Sequence, residues 1–169
     1  MRGKLLSLLA VLVLVAACET TPEDTGGAST DSGTTTTTTT DSGSTTETGP
    51  APGTQEDLVV NVGDRVFFAF DSYELSAEAQ ETLRRQAEWL QTYADVSVTV
   101  EGHCDERGTR EYNLALGEQR ATAVKNFMVA LGVDPGRVTT ISYGKERPAV
   151  LGSDESAWAQ NRRAVTMVN

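Results

Sequence analysis

Val96-Ser97-Val98-Thr99-Val100 alternates apolar and small polar side chains, then runs into Glu101-Gly102-His103-Cys104-Asp105-Glu106-Arg107-Gly108-Thr109. Alternation with a period of two predicts a half-buried strand with one wet face. Thr109 is placed to cap a helix from Arg110 to Leu131. The apolar stripe of that helix is Leu114, Gly117, Ala121, Val124, Met128 and Leu131, with Phe127 beside it. Gly132 ends it and Pro135 follows soon after. A further strand is expected from Arg137 to Tyr143, so the segment reads as strand, charged loop, helix, strand.

The flanks extend this pattern. Upstream, Leu58 to Val62 reads as a short strand, Gly63-Asp64 as a turn, and Arg65 to Phe70 as a strong strand. Asp71 to Glu74 is the loop after it, and Ser76 caps a helix from Ala77 to Thr92 with the stripe Ala79, Leu83, Ala87 and Leu90. Downstream, Glu155 to Gln160 is a short helix and Arg163 to Val168 the closing strand. The expected fold is α/β: a two-layer sandwich in the order β-α-β-α-β-β. A mixed four-stranded sheet carries helices on one face, with right-handed crossovers.

The N-terminus has a different character. Arg2 and Lys4 precede Leu5 to Val15, a nearly all-apolar run too short to span a bilayer. Residues 1–17 read as a signal peptide. Val15-Ala16-Ala17-Cys18 resembles the lipobox of bacterial lipoproteins, which implies lipidation of Cys18 and cleavage before it. Each buried methylene of an acyl chain contributes about 0.8 kcal/mol, so several chains anchor firmly. The residue after Cys18 is Glu19 rather than Asp, and the resemblance then implies the inner leaflet of the outer membrane, with the remainder in the periplasm.

Residues 18–57 read as a tether of Thr, Ser, Gly, Pro and acids, with seven consecutive Thr from Thr34 to Thr40. Without aromatic residues or apolar periodicity it cannot offset the entropy of ordering. As a coil it would span roughly 35 Å on average and roughly 130 Å when stretched. Residues 58–169 form the folded domain. The formal charge is −10, yet no Lys or Arg occurs between Lys4 and Arg65, so the acidity resides mainly in the tether. No basic stripe is present, which excludes nucleic acid as a partner. With Cys18 lipidated, Cys104 lacks an intramolecular partner, and the core must hold the domain unaided.

Several separated blocks carry a family resemblance. They are Phe68-Ala69-Phe70-Asp71, the stretch from Val100 to Thr109, Tyr112-Asn113, Leu116-Gly117-Glu118-Gln119-Arg120-Ala121, Ser142 to Pro148, and Asn161-Arg162-Arg163-Ala164-Val165. In this order they resemble the OmpA-like domain family, and more closely its peptidoglycan-associated lipoprotein branch, over Arg65 to Asn169. The resemblance implies non-covalent binding of the peptidoglycan stem peptide at meso-diaminopimelate, a residue whose side chain bears both an ammonium and a carboxylate. On the family's pattern Asp105 receives the ammonium and Arg120 grips a carboxylate with its planar fork. Asn113 and Arg120 lie seven apart on one helix face with Leu116 between them. Phe70 and Asp71 form the opposite wall, and Glu106 and Arg107 the rim. The implied partners are TolB and other Tol proteins, in the Tol-Pal system that serves envelope constriction during division.

A structural reading stands beside each of these: Asp105 and Arg120 as an ion pair, Asn113 as a helix cap, Phe70 as core, and Arg162-Arg163, placed here at the site's edge, as a solvated pair of charges at a strand start. An alternative is an envelope enzyme acting on the cell wall. It needs a nucleophile with a base, a metal cluster, or a carboxylate pair. His103 and Cys104 are adjacent, so on extended chain they point apart, and the triplet with Asp105 lacks metal-ligand spacing. Cys104 falls on the side of Val98 and Val100 and reads as a small buried hydrophobe. The sequence therefore predicts a binding module without catalytic residues, metal or cofactor. A motor-stator anchor shares the domain but needs a true transmembrane helix.

Overall fold

A computed structural model describes residues 49–169. The expectations for the signal segment, for Cys18 and for most of the tether lie outside these residues. Four strands form one sheet: β1 (Arg65–Phe67), β2 (Val98–His103), β3 (Val138–Gly144) and β4 (Arg163–Val168), in the spatial order β1-β4-β2-β3. β2 and β3 run parallel, and β4 lies antiparallel between β1 and β2. The helices are α1 (Ala77–Thr92), α2 (Arg110–Ala130) and α3 (Glu155–Asn161). Mixed sheet and helical layer agree with the expected sandwich.

Local chemistry sets the helix starts. The side chains of Ser76, Thr109 and Asp154 accept from the backbone N–H groups of Ala79, Tyr112 and Ala157. Such a cap contributes about 1 kcal/mol each. The alternating valines then decide the face: Val66, Val98, Val100 and Val138 join Leu83, Ala87 and Leu90 of α1 and Ala121, Val124 and Met128 of α2 in one core.

Leu58 to Val62 is not a strand. Thr54 caps a helical turn, Gln55–Asp57, which continues in wider π turns through Leu58–Val62 and stops at Gly63 with φ 95°. Leu58 enters the core and Val62 packs against it, whereas Val59 and Val60 are exposed, so a run of β-branched residues had no second strand to join. Gln55 and Asp57, which composition placed in the tether, are bonded into the domain. Gln55 Oε1 accepts from the Val168 N–H at 2.7 Å, and Asp57 Oδ2 accepts from the Trp89 indole at 2.9 Å.

β1 is shorter than its apolar sequence suggests. The Phe68 N–H bonds to the Arg162 carbonyl at 2.9 Å, after which the chain leaves the sheet. Phe70 and Asp71 therefore sit in the β1–α1 loop, and Asp71 adopts φ 54°, a left-handed conformation that Asp tolerates better than most residues. The buried face of α2 also differs at its start. Leu114 is exposed while Asn113, Leu116 and Arg120 are buried, because the first turns of α2 border a cavity that charged side chains enter rather than the apolar core.

Candidate functional site

The cavity, of about 180 Å³, opens beyond the carboxyl end of β2. Phe70 and Asp71 reach it from the β1–α1 loop, Cys104, Asp105, Arg107 and Gly108 from the β2–α2 loop, Tyr112, Asn113, Leu116 and Arg120 from α2, and Arg162 from the junction of α3 and β4. Seven of the eight residues expected at the site thus share one wall; Glu106 alone does not line it. Arg162, expected at the site's edge, lines it as well, and so do Cys104, Gly108 and Tyr112, to which the sequence assigns no role there. All four stand in the family-like blocks.

Asp105 is buried and anchors the charge pattern. Its Oδ1 accepts from the Arg107 backbone N–H and Nε, each at 3.1 Å, and its Oδ2 from Arg107 Nη2 at 2.6 Å and Arg162 Nη1 at 3.4 Å. Burial alone would favour the neutral acid, but the Arg107 hydrogen bonds outweigh it and hold the carboxyl below its ordinary range. The Arg107 guanidinium lies between two rings, 4.1 Å from the centre of Phe70 and 4.0 Å from that of Trp158.

Arg120 does not pair with Asp105. Its Nε donates to the Ser72 carbonyl at 2.8 Å, Nη1 to the His103 carbonyl at 2.8 Å and Nη2 to the Ala69 carbonyl at 3.2 Å. In place of the ion pair that was the structural alternative, Arg120 is a strut joining the β1–α1 loop, the end of β2 and α2. Burial lowers the Arg120 pKa, yet a guanidinium stays charged in a protein. A planar fork with five donors can bridge three carbonyls and keep N–H groups in reserve.

The loop carrying Asp105 is fixed from several sides. Asn113 Nδ2 donates to the carbonyls of Arg107 at 2.7 Å and Thr109 at 3.0 Å, so Asn113 has the structural role as well as a place on the wall. Lys145 Nζ donates to the carbonyls of Glu106 and Gly108. Glu106 accepts from the Trp158 indole at 3.1 Å, which explains why its side chain turns from the cavity. Across the opening, the Tyr112 hydroxyl donates to Asp71 Oδ1. Phe70 is 61% exposed, which rules out a core role for its ring. Arg162 reaches the site, whereas Arg163 turns to the carbonyls of Asn161 and Arg147.

Cys104 and His103 do not form a nucleophile and base. The Cys104 thiol donates to the Asn113 carbonyl at 3.3 Å, and burial pushes its pKa up to about 11 against the opposing charge of Arg120. His103 is buried with neither ring nitrogen bonded among the described residues, and burial, with Arg163 and Arg147 nearby, lowers its pKa to about 4. Among the described residues no group of three or more His, Cys, Asp or Glu is arranged to hold a metal ion, and no helix is long and apolar enough to cross a membrane.

Known proteins share both sequence and fold with this chain. Residues 67–162 match the OmpA family. The peptidoglycan-associated lipoprotein of Agrobacterium fabrum is 58% identical over 117 residues, covering 69% of this chain and 66% of that protein. Its counterpart in Brucella melitensis is 56% identical over 118 residues, 70% of each chain. The crystal structure of the peptidoglycan-associated lipoprotein from Burkholderia pseudomallei superimposes with a TM-score of 0.61 at 43% identity, over 63% of this chain and 90% of that one. The C-terminal domain of Helicobacter pylori MotB shares the fold at 21% identity, with a TM-score of 0.59. The family match spans every residue that lines the cavity, and the chain belongs to the OmpA family, among the peptidoglycan-associated lipoproteins.

Proposed function

We propose that the domain holds the peptidoglycan stem peptide non-covalently at meso-diaminopimelate, and that lipid on Cys18 fixes the other end of the chain in the inner leaflet of the outer membrane. The observation that carries this reading is a single small cavity in which two carboxylates, Asp71 and Asp105, face three guanidiniums, Arg107, Arg120 and Arg162. A ligand bearing both an ammonium and a carboxylate satisfies such a site without leaving either charge unpaired. Asp105 offers the buried anion. Reserve N–H groups of Arg120 serve the ligand carboxylate, and Leu116 meets the aliphatic stem. The names of the relatives favour the same ligand class.

Catalysis is not part of the reading. The thiol is protonated at neutral pH, its neighbour His103 is buried with only Glu101 3.5 Å from Nε2, and Asp105 is held ionised, so none of these three groups is poised as an acid or base near neutrality. The periplasmic partners fitting this family are TolB and other Tol proteins, with TolB competing for the wall-binding surface during constriction. Incubation with purified sacculi tests the proposal: the protein sediments with them and releases no soluble fragments. Failure to sediment, or release of muropeptides, overturns it.

A further inference from the structure

Asp105 is already saturated. Its two oxygens accept four N–H groups, three from Arg107 and one from Arg162. A carboxylate has about four lone-pair sites, so a ligand ammonium cannot simply add to it. One of the resident donors must leave.

The two arginines differ in how they are held. The Arg162 side chain is 8% exposed and has other partners, the Phe68 carbonyl at 3.1 Å from Nε and Glu155 Oε1 at 2.7 Å from Nη2. The Arg107 side chain is 31% exposed, and its hydrogen bonds go to Asp105 alone. Its guanidinium also has a place to stay on release, between Phe70 and Trp158 and 3.9 Å from Glu155.

We propose, resting on the wall-binding reading above, that Arg107 is a built-in stand-in for the ligand's cation: the ammonium exchanges with the Arg107 guanidinium on Asp105, and the freed guanidinium then pairs with the ligand's own carboxylate. The exchange makes the site selective for zwitterions. A ligand with an ammonium alone displaces Arg107 and leaves it only the distant Glu155, 3.9 Å away and already bonded to Arg162. A ligand carrying both charges restores every pair.

The test uses the full chain with Cys18→Ala for solubility, titrated calorimetrically with two stem tripeptides amidated at the terminal α-carboxyl, one ending in meso-diaminopimelate and one in lysine, which lacks the side-chain carboxylate. The parent prefers the diaminopimelyl peptide by about tenfold or more. With Arg107→Gln the lysyl peptide tightens by about fivefold, the scale of one partly exposed ion pair, and the preference shrinks. In the parent, the Arg107 Nε–H resonance shifts on titration with the diaminopimelyl peptide while that of Arg162 stays. Lysyl binding unchanged or weakened in Arg107→Gln, or an Arg107 resonance that stays put on diaminopimelyl binding, overturns the exchange and leaves the wall-binding reading intact. A parent that binds neither peptide overturns both.

Discussion

A Cβ on Gly102 would lie 1.9 Å from the carbonyl oxygen of Gly117, so β2 and α2 meet backbone to backbone. A Cβ on Gly117 would in turn strike the Ser142 hydroxyl at 2.3 Å. This contact seats the first turns of α2 against the end of β2 and brings Asn113, Leu116 and Arg120 to the cavity. Gly102→Ala must push rigid backbone apart. It is expected to cost about 3 kcal/mol or more, read as a lowered midpoint in urea unfolding. A midpoint unchanged from the parent would show that the two elements can separate freely.

Arg120 is a structural element as much as a ligand group. Arg120→Ala leaves the carbonyls of Ala69, Ser72 and His103 without their donor. The buried His103 carbonyl so stranded costs about 1–3 kcal/mol and the two part-buried carbonyls less, so the substitution destabilises the domain before it says anything about binding. Arg120→Lys restores the charge without the fork, and it is expected to fall between the two in stability. Urea unfolding of all three proteins, followed by sacculus sedimentation under folding conditions, separates the two roles.

Asp105→Asn removes the buried anion while keeping the shape of the side chain. Retention on sacculi is expected to fall at least about tenfold at low salt. The domain stays folded, because Arg162 keeps its bonds to Phe68 and Glu155. Full retention would remove Asp105 from the binding site.

Acid should destabilise the domain through His103. Burial holds its folded-state pKa near 4, below the ordinary histidine value of 6.5, so the unfolded chain binds the proton first. Stability is therefore undiminished above pH 6.5 and falls as pH drops from there towards 4, at up to about 1.4 kcal/mol per unit. His103→Gln should flatten that part of the profile. An identical slope in the variant would assign the acid sensitivity elsewhere.

Cys18→Ala tests the far end of the chain. Without a lipid acceptor the protein is expected in the soluble periplasmic fraction, with unchanged affinity for isolated sacculi. Continued recovery with membranes would exclude lipid on Cys18 as the anchor.

Local pattern and global placement contributed to different parts of this protein. The sequence by itself determined the helices α1, α2 and α3, with the caps Ser76 and Thr109 of the first two, and the strands β2, β3 and β4. Capping and periodicity act over a few residues and can be read directly. It also marked Asp105, Asn113 and Arg120 as neighbours. Only the tertiary structure decided what these side chains bond to. Arg162 reaches Asp105 across 57 residues, and the carbonyls that hold Arg120 come from positions 48 and 51 residues away in one loop and 17 residues away at the end of β2. Such partners are set by where separate loops converge, which no local spacing encodes. The same holds for Leu58–Val62: its residues favour a strand, but with no strand beside it to supply backbone partners, it satisfies its own backbone as a helix.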